Sequence, residues 1–151
     1  MKEECGRMIE PDTIKLLREC DAGIRMGIDS IEEVLDDVKN ETFRKCLSDC
    51  REEHENLKSE IQQLLNQYQD EGKEPGTMAK GMSWMKTNMK LAMDHRDETV
   101  ADLMTDGCNM GVKSLYKYLN QYKAASEQAK NITKRLINLE EKLTADIRPF
   151  L

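Results

Sequence analysis

Two adjacent segments of the chain carry apolar residues at alternating steps of three and four, and polar residues interrupt both. The runs are Ile14, Leu17, Asp21, Ile24, Ile28, Ile31, Leu35 and Val38, then Phe43, Leu47, Cys50, His54, Leu57, Ile61, Leu64 and Tyr68. This spacing places the side chains on one face of a helix that packs against other helices. A polar group on such a face must find a partner or cost about 1–3 kcal/mol. The pattern predicts an all-α protein.

Cap signals and breaks divide the chain into predicted helices. Asp12 or Thr13 is expected to cap the first long helix, and Asn40 the second. Two long helices joined by so short a link are expected to pack antiparallel. The predicted segments are a polar lead-in at 1–11 and helices at about 12–38, 41–70, 77–93, 98–122 and 127–147.

A methionine-rich segment determines the predicted topology. Residues 72–96 form a crossover whose short helix carries the apolar face Met78, Met82, Met85, Met89 and Met93. Because the second helix rises about 45 Å, this crossover returns the chain toward its starting end. We interpret the methionine face as adaptable core packing, with a dimer surface as the alternative. The 151 residues are predicted to form a single domain of two helical hairpins with one long crossover.

Composition narrows the classes of function. Charged residues make up 34% of the chain and the net charge is -6, which argues against nucleic acid as a main partner. No run of about 18 apolar residues occurs, and the start MKEECGRMIE lacks the apolar region of a secretory signal. An odd number of cysteines, five, favours reduced thiols. We therefore expect a cytoplasmic protein that inserts into no membrane.

Four short segments carry a resemblance to a known superfamily. They are Glu19-Cys20-Asp21-Ala22-Gly23, Arg51-Glu52-Glu53-His54-Glu55-Asn56-Leu57, Gly81-Met82-Ser83-Trp84-Met85-Lys86 and Gly107-Cys108-Asn109-Met110-Gly111. Over roughly residues 12–147 the chain resembles the ferritin-like superfamily, and more closely an uncharacterised bacterial four-helix-bundle branch of it. The resemblance implies a ferritin-like four-helix bundle of two antiparallel hairpins, with a shorter fifth helix in the crossover.

The chain departs from the metal-binding pattern of that superfamily. The di-iron relatives use Glu-x-x-His motifs and further glutamates. Here Arg51 stands three residues before His54, and Ala92 three before His95. Cys108 stands where the resemblance would place a glutamate. A carboxylate-bridged di-iron centre, and the oxygen chemistry that it supports, is therefore not expected.

A different set of ligands is the sharpest candidate site. Cys50 and His54 share a helix face, and in the predicted topology Cys108 falls within about 6 Å of them along the bundle axis. Thiolate and imidazole suit zinc or a similar ion, so one zinc or iron ion inside the bundle is the hypothesis. The candidate ligands are Cys50, His54, Cys108 and Asp21, with Glu53 and Glu140 as alternates.

A plainer interpretation of the same residues is favoured. Buried cysteines pack as small apolar groups, and His54 can bond to Asp21 or to a neighbouring carboxylate. A redox group of Cys46, Cys50 and Cys108 is an alternative, whereas Cys20 is expected to be peripheral. We expect a non-enzymatic stress-related or interaction protein that self-associates through a helical face. The alternative is a metal-binding or thiol-redox protein with a mononuclear Cys/His/acid site.

Overall fold

Four long helices make up most of the described chain. The computed structural model describes residues 2–70, 85, 88 and 94–151, and within them the side chains from residue 11 onward. The helices are α1 (Lys2–Leu35), α2 (Glu41–Gln67), α3 (Asp97–Gln121) and α4 (Glu127–Ile147), followed by a 3-10 turn at Arg148–Phe150. These ranges contain no strand. The predicted all-α class is confirmed, and the four helices fit a bundle.

The apolar faces of the helices meet in two buried clusters. The predicted face of α2 is confirmed, because every member from Phe43 to Leu64 is buried. The first cluster includes Leu17, Ile24, Ile61, Leu65, Leu115, Ile132 and Leu136. The second includes Ile31, Val38, Phe43, Leu47, Met104, Leu143 and Ile147. Since α1, α2, α3 and α4 contribute to both clusters, the four helices share one core.

The first helix begins earlier than its sequence predicts. It starts at Lys2 and contains Pro11 in its interior, so the prediction that it begins at Asp12 or Thr13 is wrong. A proline inside a helix removes one backbone hydrogen bond, which is why Pro11 resembled the end of a lead-in. In this structure the helix continues through it.

The two predicted cap residues of α1 serve a different segment. Asp12 Oδ2 accepts a hydrogen bond from the backbone N–H of Ala124 at 3.0 Å. Thr13 Oγ1 accepts one from the N–H of Ser126 at 2.8 Å. Both donors lie in the connection between α3 and α4. These side chains therefore fasten that connection to α1 instead of starting a helix.

The connection between α1 and α2 is held at the start of α3. Asn40 caps α2 as predicted, with its Oδ1 accepting from the N–H of Phe43 at 3.0 Å. The N–H groups of Lys39 and Asn40 donate to the two carboxylate oxygens of Asp97, each at 2.9 Å. The beginning of α3 thus lies against the end of α1 and the beginning of α2.

Most of the predicted methionine-rich helix lies outside the described residues. Met85 is described and is 1% exposed, and it packs in the second apolar cluster with Phe43 and Leu47. Its burial agrees with the core-packing interpretation at that one position. No described helix is long and apolar enough to cross a membrane.

Candidate functional site

His54 lies at the centre of the bundle and both of its ring nitrogens have partners. The side chain is on α2, and the residue is 1% exposed. Its Nδ1 lies 2.7 Å from the backbone carbonyl oxygen of Cys50, one helical turn earlier. Its Nε2 lies 3.2 Å from Oε1 of Glu140 on α4. A carbonyl oxygen and an ionised carboxylate only accept hydrogen bonds, so this geometry suits an imidazolium whose two nitrogens both donate.

The surroundings of His54 favour its charged form. Burial alone lowers the pKa of the imidazole. The interactions with the thiol of Cys50 and with the carboxylate of Glu140 outweigh burial and raise the pKa of His54 to about 10. The side chain of Glu140 is only 14% exposed. His54 and Glu140 therefore form a buried ion pair that joins α2 to α4 at neutral pH.

We expect the ion pair to make folding stability depend on pH. The folded pKa of His54, about 10, exceeds its ordinary value of 6.5, so the stabilisation is complete below about 6.5 and disappears as pH rises through about 10. The free energy of unfolding of the wild type, measured with urea, should fall between pH 6 and 10. That of Glu140→Gln should fall less over the same range. Parallel curves for the two proteins would contradict this assignment.

Two glycines bring the remaining helices against the ion pair. A Cβ atom added at Gly27 on α1 would lie 3.1 Å from His54 Nε2 and 3.2 Å from its Cδ2. One added at Gly111 on α3 would lie 3.6 Å from Oε2 of Glu140. All four helices thus converge on one point. The sequence analysis did not identify Gly27, whose only signal is a glycine inside a helical pattern.

The cysteines beside the ion pair are buried thiols. Cys50 Sγ lies 3.5 Å from His54 Nδ1. The thiol of Cys108 on α3 interacts with the carboxylate of Glu140 and the hydroxyl of Thr144. Burial, reinforced by Glu140, raises the pKa of Cys108 far above its usual range. Cys108 is therefore a protonated, unactivated thiol at neutral pH.

These side chains form a polar layer across the apolar core. We use that name for Cys50, His54, Cys108, Glu140 and Thr144. Along α2, His54 separates Cys50 in the second apolar cluster from Leu57 in the first. Along α4, Glu140 separates Ile137 in the first cluster from Leu143 in the second. The layer lies at the junction of the two clusters, where its bonding cross-links three helices.

Asp21, the fourth predicted ligand, is positioned elsewhere along α1. It is completely buried, and its Oδ2 lies 3.2 Å from Nε of Arg25 in the next turn. The α1 residue that faces His54 is Gly27, about 9 Å farther along the helix axis. The acid that meets His54 is Glu140, one of the two predicted alternates. The other, Glu53, is exposed on α2.

The four-ligand metal site remains a prediction. The structure brings Cys50, His54 and Cys108 together with Glu140. Within the described ranges, no group of three or more histidine, cysteine, aspartate or glutamate side chains has an arrangement that could hold a metal ion. The present contacts are those of a polar layer whose members bond to one another.

Cys20 lies apart from the polar layer, in the first apolar cluster. It is completely buried, and its Sγ lies 3.2 Å from Oγ1 of Thr133 on α4. Burial raises the pKa of this thiol to about 11. The thiol pairs with a threonine that also donates to the carbonyl oxygen of Ala129. Cys20 packs as a small apolar side chain, as free cysteines commonly do.

A groove between α2 and α4 leads from solvent toward the polar layer. It encloses about 400 Å³ and is lined in part by Cys46, Cys50, Glu53, Lys142 and Asp146. Cys50 belongs to both the groove wall and the polar layer. The pKa of Cys46 is raised, chiefly by burial. The groove therefore places one edge of the layer near solvent without exposing His54.

Sequence comparison identifies one family. The model of the family described as Domain of unknown function (DUF2383) matches residues 12–121. The match spans α2, α3 and most of α1, with Cys50, His54 and Cys108, and it ends before Glu140. No curated protein and no solved structure matches the chain.

Proposed function

The chain belongs to the family described as Domain of unknown function (DUF2383), and we propose that it is a non-enzymatic stress-related or interaction protein. One observation carries this proposal: both nitrogens of His54 bond to acceptors of the protein itself. A histidine held as an imidazolium between two acceptors serves neither as a base nor as a metal ligand. The raised pKa of Cys108 also argues against a thiol nucleophile. In this proposal the polar layer serves to hold the helices together.

We infer a ferritin-like arrangement of two antiparallel hairpins, α1 with α2 and α3 with α4. Asp97 at the start of α3 binds the α1–α2 connection. Asp12 near the start of α1 binds the α3–α4 connection. Asp70, just after α2, pairs with Arg18 of α1 at 3.8 Å. These contacts support parallel α2 and α3, which requires a long crossover, with its short helix, between them.

Elemental analysis tests the proposed function directly. Protein purified anaerobically and without a histidine tag is expected to contain no stoichiometric zinc or iron. Its Tm is expected to be unchanged by a chelator, because His54 and Glu140 already pair with each other and need no metal ion. Near-stoichiometric metal, together with a Tm that a chelator lowers in the wild type but not in Cys108→Ser, would contradict the proposal.

A mononuclear metal site is the second candidate, and the orientation of His54 favours it. Metal-bound histidines commonly donate their other ring N–H to a backbone carbonyl, as Nδ1 does here to Cys50. The Nε2 side meets Glu140, which in turn contacts Cys108. His54, Cys108 and Glu140 would hold one zinc or iron ion only after His54 and Cys108 lose their protons and the side chains rearrange around the ion. The sulfur of Cys50 lies on the Nδ1 side of the ring.

The proposal extends to location and assembly. We propose a cytoplasmic bacterial protein, since the described cysteines Cys20, Cys46, Cys50 and Cys108 are all free thiols. The net charge of -6 argues against nucleic acid as a partner. Self-association through a helical face is the mode of interaction that we propose.

A further inference from the structure

Positive charge is concentrated in one part of this acidic chain. Between Asp106 and Glu140, six basic residues occur with a single acidic residue, Glu127. The basic residues are Lys113, Lys117, Lys123, Lys130, Lys134 and Arg135. They occupy the second half of α3, the following connection and the first half of α4. The rest of the chain is correspondingly more acidic than the net charge of -6 suggests.

Four of the five lysines in this region are exposed. Lys113 and Lys117 are one turn apart on α3, and both are exposed. Lys130 and Lys134 are one turn apart on α4, where Lys130 is partly exposed and pairs with Glu127 at 3.8 Å. Arg135 is not counted with these lysines, because its guanidinium is paired with Glu60 through two hydrogen bonds of 2.9 Å. We call Lys113, Lys117, Lys123, Lys130 and Lys134 the basic surface.

The end of α1 carries a complementary surface. The segment from Gly27 to Val38, which includes the last turns of α1 and the residues just after it, contains five acidic residues and no basic one. Asp29, Glu32, Glu33 and Asp36 are exposed, with Glu32 lying 3.8 Å from Arg51 of α2, and we call these four residues the acidic surface. Asp12 binds the connection beside the basic surface, and about 30 Å of helix separates it from Glu33. The connection beside the basic surface and the acidic surface therefore lie at well-separated levels along α1.

We propose that the basic surface binds the acidic surface of a second copy of this chain. This inference rests on the interaction function proposed above and names the partner. Two copies, each with a charge of -6, repel in most orientations. The contact between the basic surface of one copy and the acidic surface of another is attractive. It therefore favours one relative orientation of the two copies and speeds their association. Because the two contacting surfaces differ, the contact is head-to-tail and leads to rings or chains.

Charge reversal on each surface tests the inference. Sedimentation velocity of the wild type should show association at about 50 mM salt and its loss at about 500 mM, where screening is strong. Lys117→Glu/Lys134→Glu and Asp29→Lys/Asp36→Lys should each be monomeric alone. Mixed together, they should associate, since each variant retains the surface that the other has lost. Lys45→Glu/Lys58→Glu on α2, with the same change in net charge as the first variant, should associate like the wild type.

Several outcomes would overturn the inference. One is a wild-type protein that is monomeric at every salt concentration. Another is association that persists in both charge-reversed variants. Failure of the mixed variants to associate would exclude pairing between the two surfaces. Binding of the wild type to phosphatidylserine vesicles without self-association would assign the basic surface to a lipid instead. Each result is independent of the metal content, which tests the proposed function separately.

Discussion

Glu140→Leu is expected to lower the free energy of unfolding by about 3–5 kcal/mol at pH 7. The substitution removes the carboxylate that His54 Nε2 meets at 3.2 Å. The imidazolium, in a residue that is 1% exposed, then has no counter-charge and must lose its proton or draw in water. Urea unfolding monitored by circular dichroism measures the loss. Glu141→Leu, at the exposed neighbouring position, is the matched control and should have little effect.

The double variant His54→Leu/Glu140→Leu is expected to recover most of that loss. Replacing both members of a buried ion pair with apolar residues is often neutral or stabilising, because neither charge is left buried alone. The double-variant cycle isolates the coupling between the two residues. A double variant that is as unstable as the sum of the single variants would show that they are not coupled. Tolerance of Glu140→Leu alone would show that His54 is neutral in the folded protein.

Helical periodicity predicted the buried faces but could not identify the acid that meets His54. Asp21 is a predicted ligand because its residue type and its position in the α1 run both suit a metal ligand. Arg25, one turn later on the same helix, forms an ion pair with Asp21. The spacing of these two residues is a local signal that Asp21 pairs within α1. Glu140 stands at the edge of the α4 face, where small differences in helix rotation decide whether a side chain reaches the core.

Long-range contacts explain why the start of α1 was predicted incorrectly. Asp12 and Thr13 are residue types that cap helices, and they follow a proline, which is a sound local signal. Their acceptor oxygens instead bind the N–H groups of Ala124 and Ser126, more than a hundred positions away. No local pattern contains that information. By contrast, the cap at Asn40 depends only on its own turn, and its prediction is confirmed.

Gly27→Val is expected to destabilise the protein by about 1–3 kcal/mol, as overpacking of a buried site commonly does. A Cβ atom alone would lie 3.1 Å from His54 Nε2, and the branches of valine add further crowding. The ring cannot move freely, because its Nδ1 is held at 2.7 Å from the carbonyl oxygen of Cys50. The strain should therefore appear as a weaker bond to Glu140. The imidazole nitrogen shifts of His54, followed by NMR against pH, should report a lowered pKa.

Other glycines of the chain separate this steric effect from the general preference of helices for alanine. A Cβ at Gly23, one turn before Gly27 on α1, meets nothing within 4 Å, so Gly23→Ala should stabilise by up to about 1 kcal/mol. Gly111→Ala makes an ordinary contact of 3.6 Å with Glu140 and should also be tolerated. If Gly27→Val were as stable as Gly23→Ala and left the titration of His54 unchanged, α1 would not press on the ion pair. If only Gly27→Val disturbs His54, the close approach of α1 at Gly27 is what keeps the ring in position to bond Glu140.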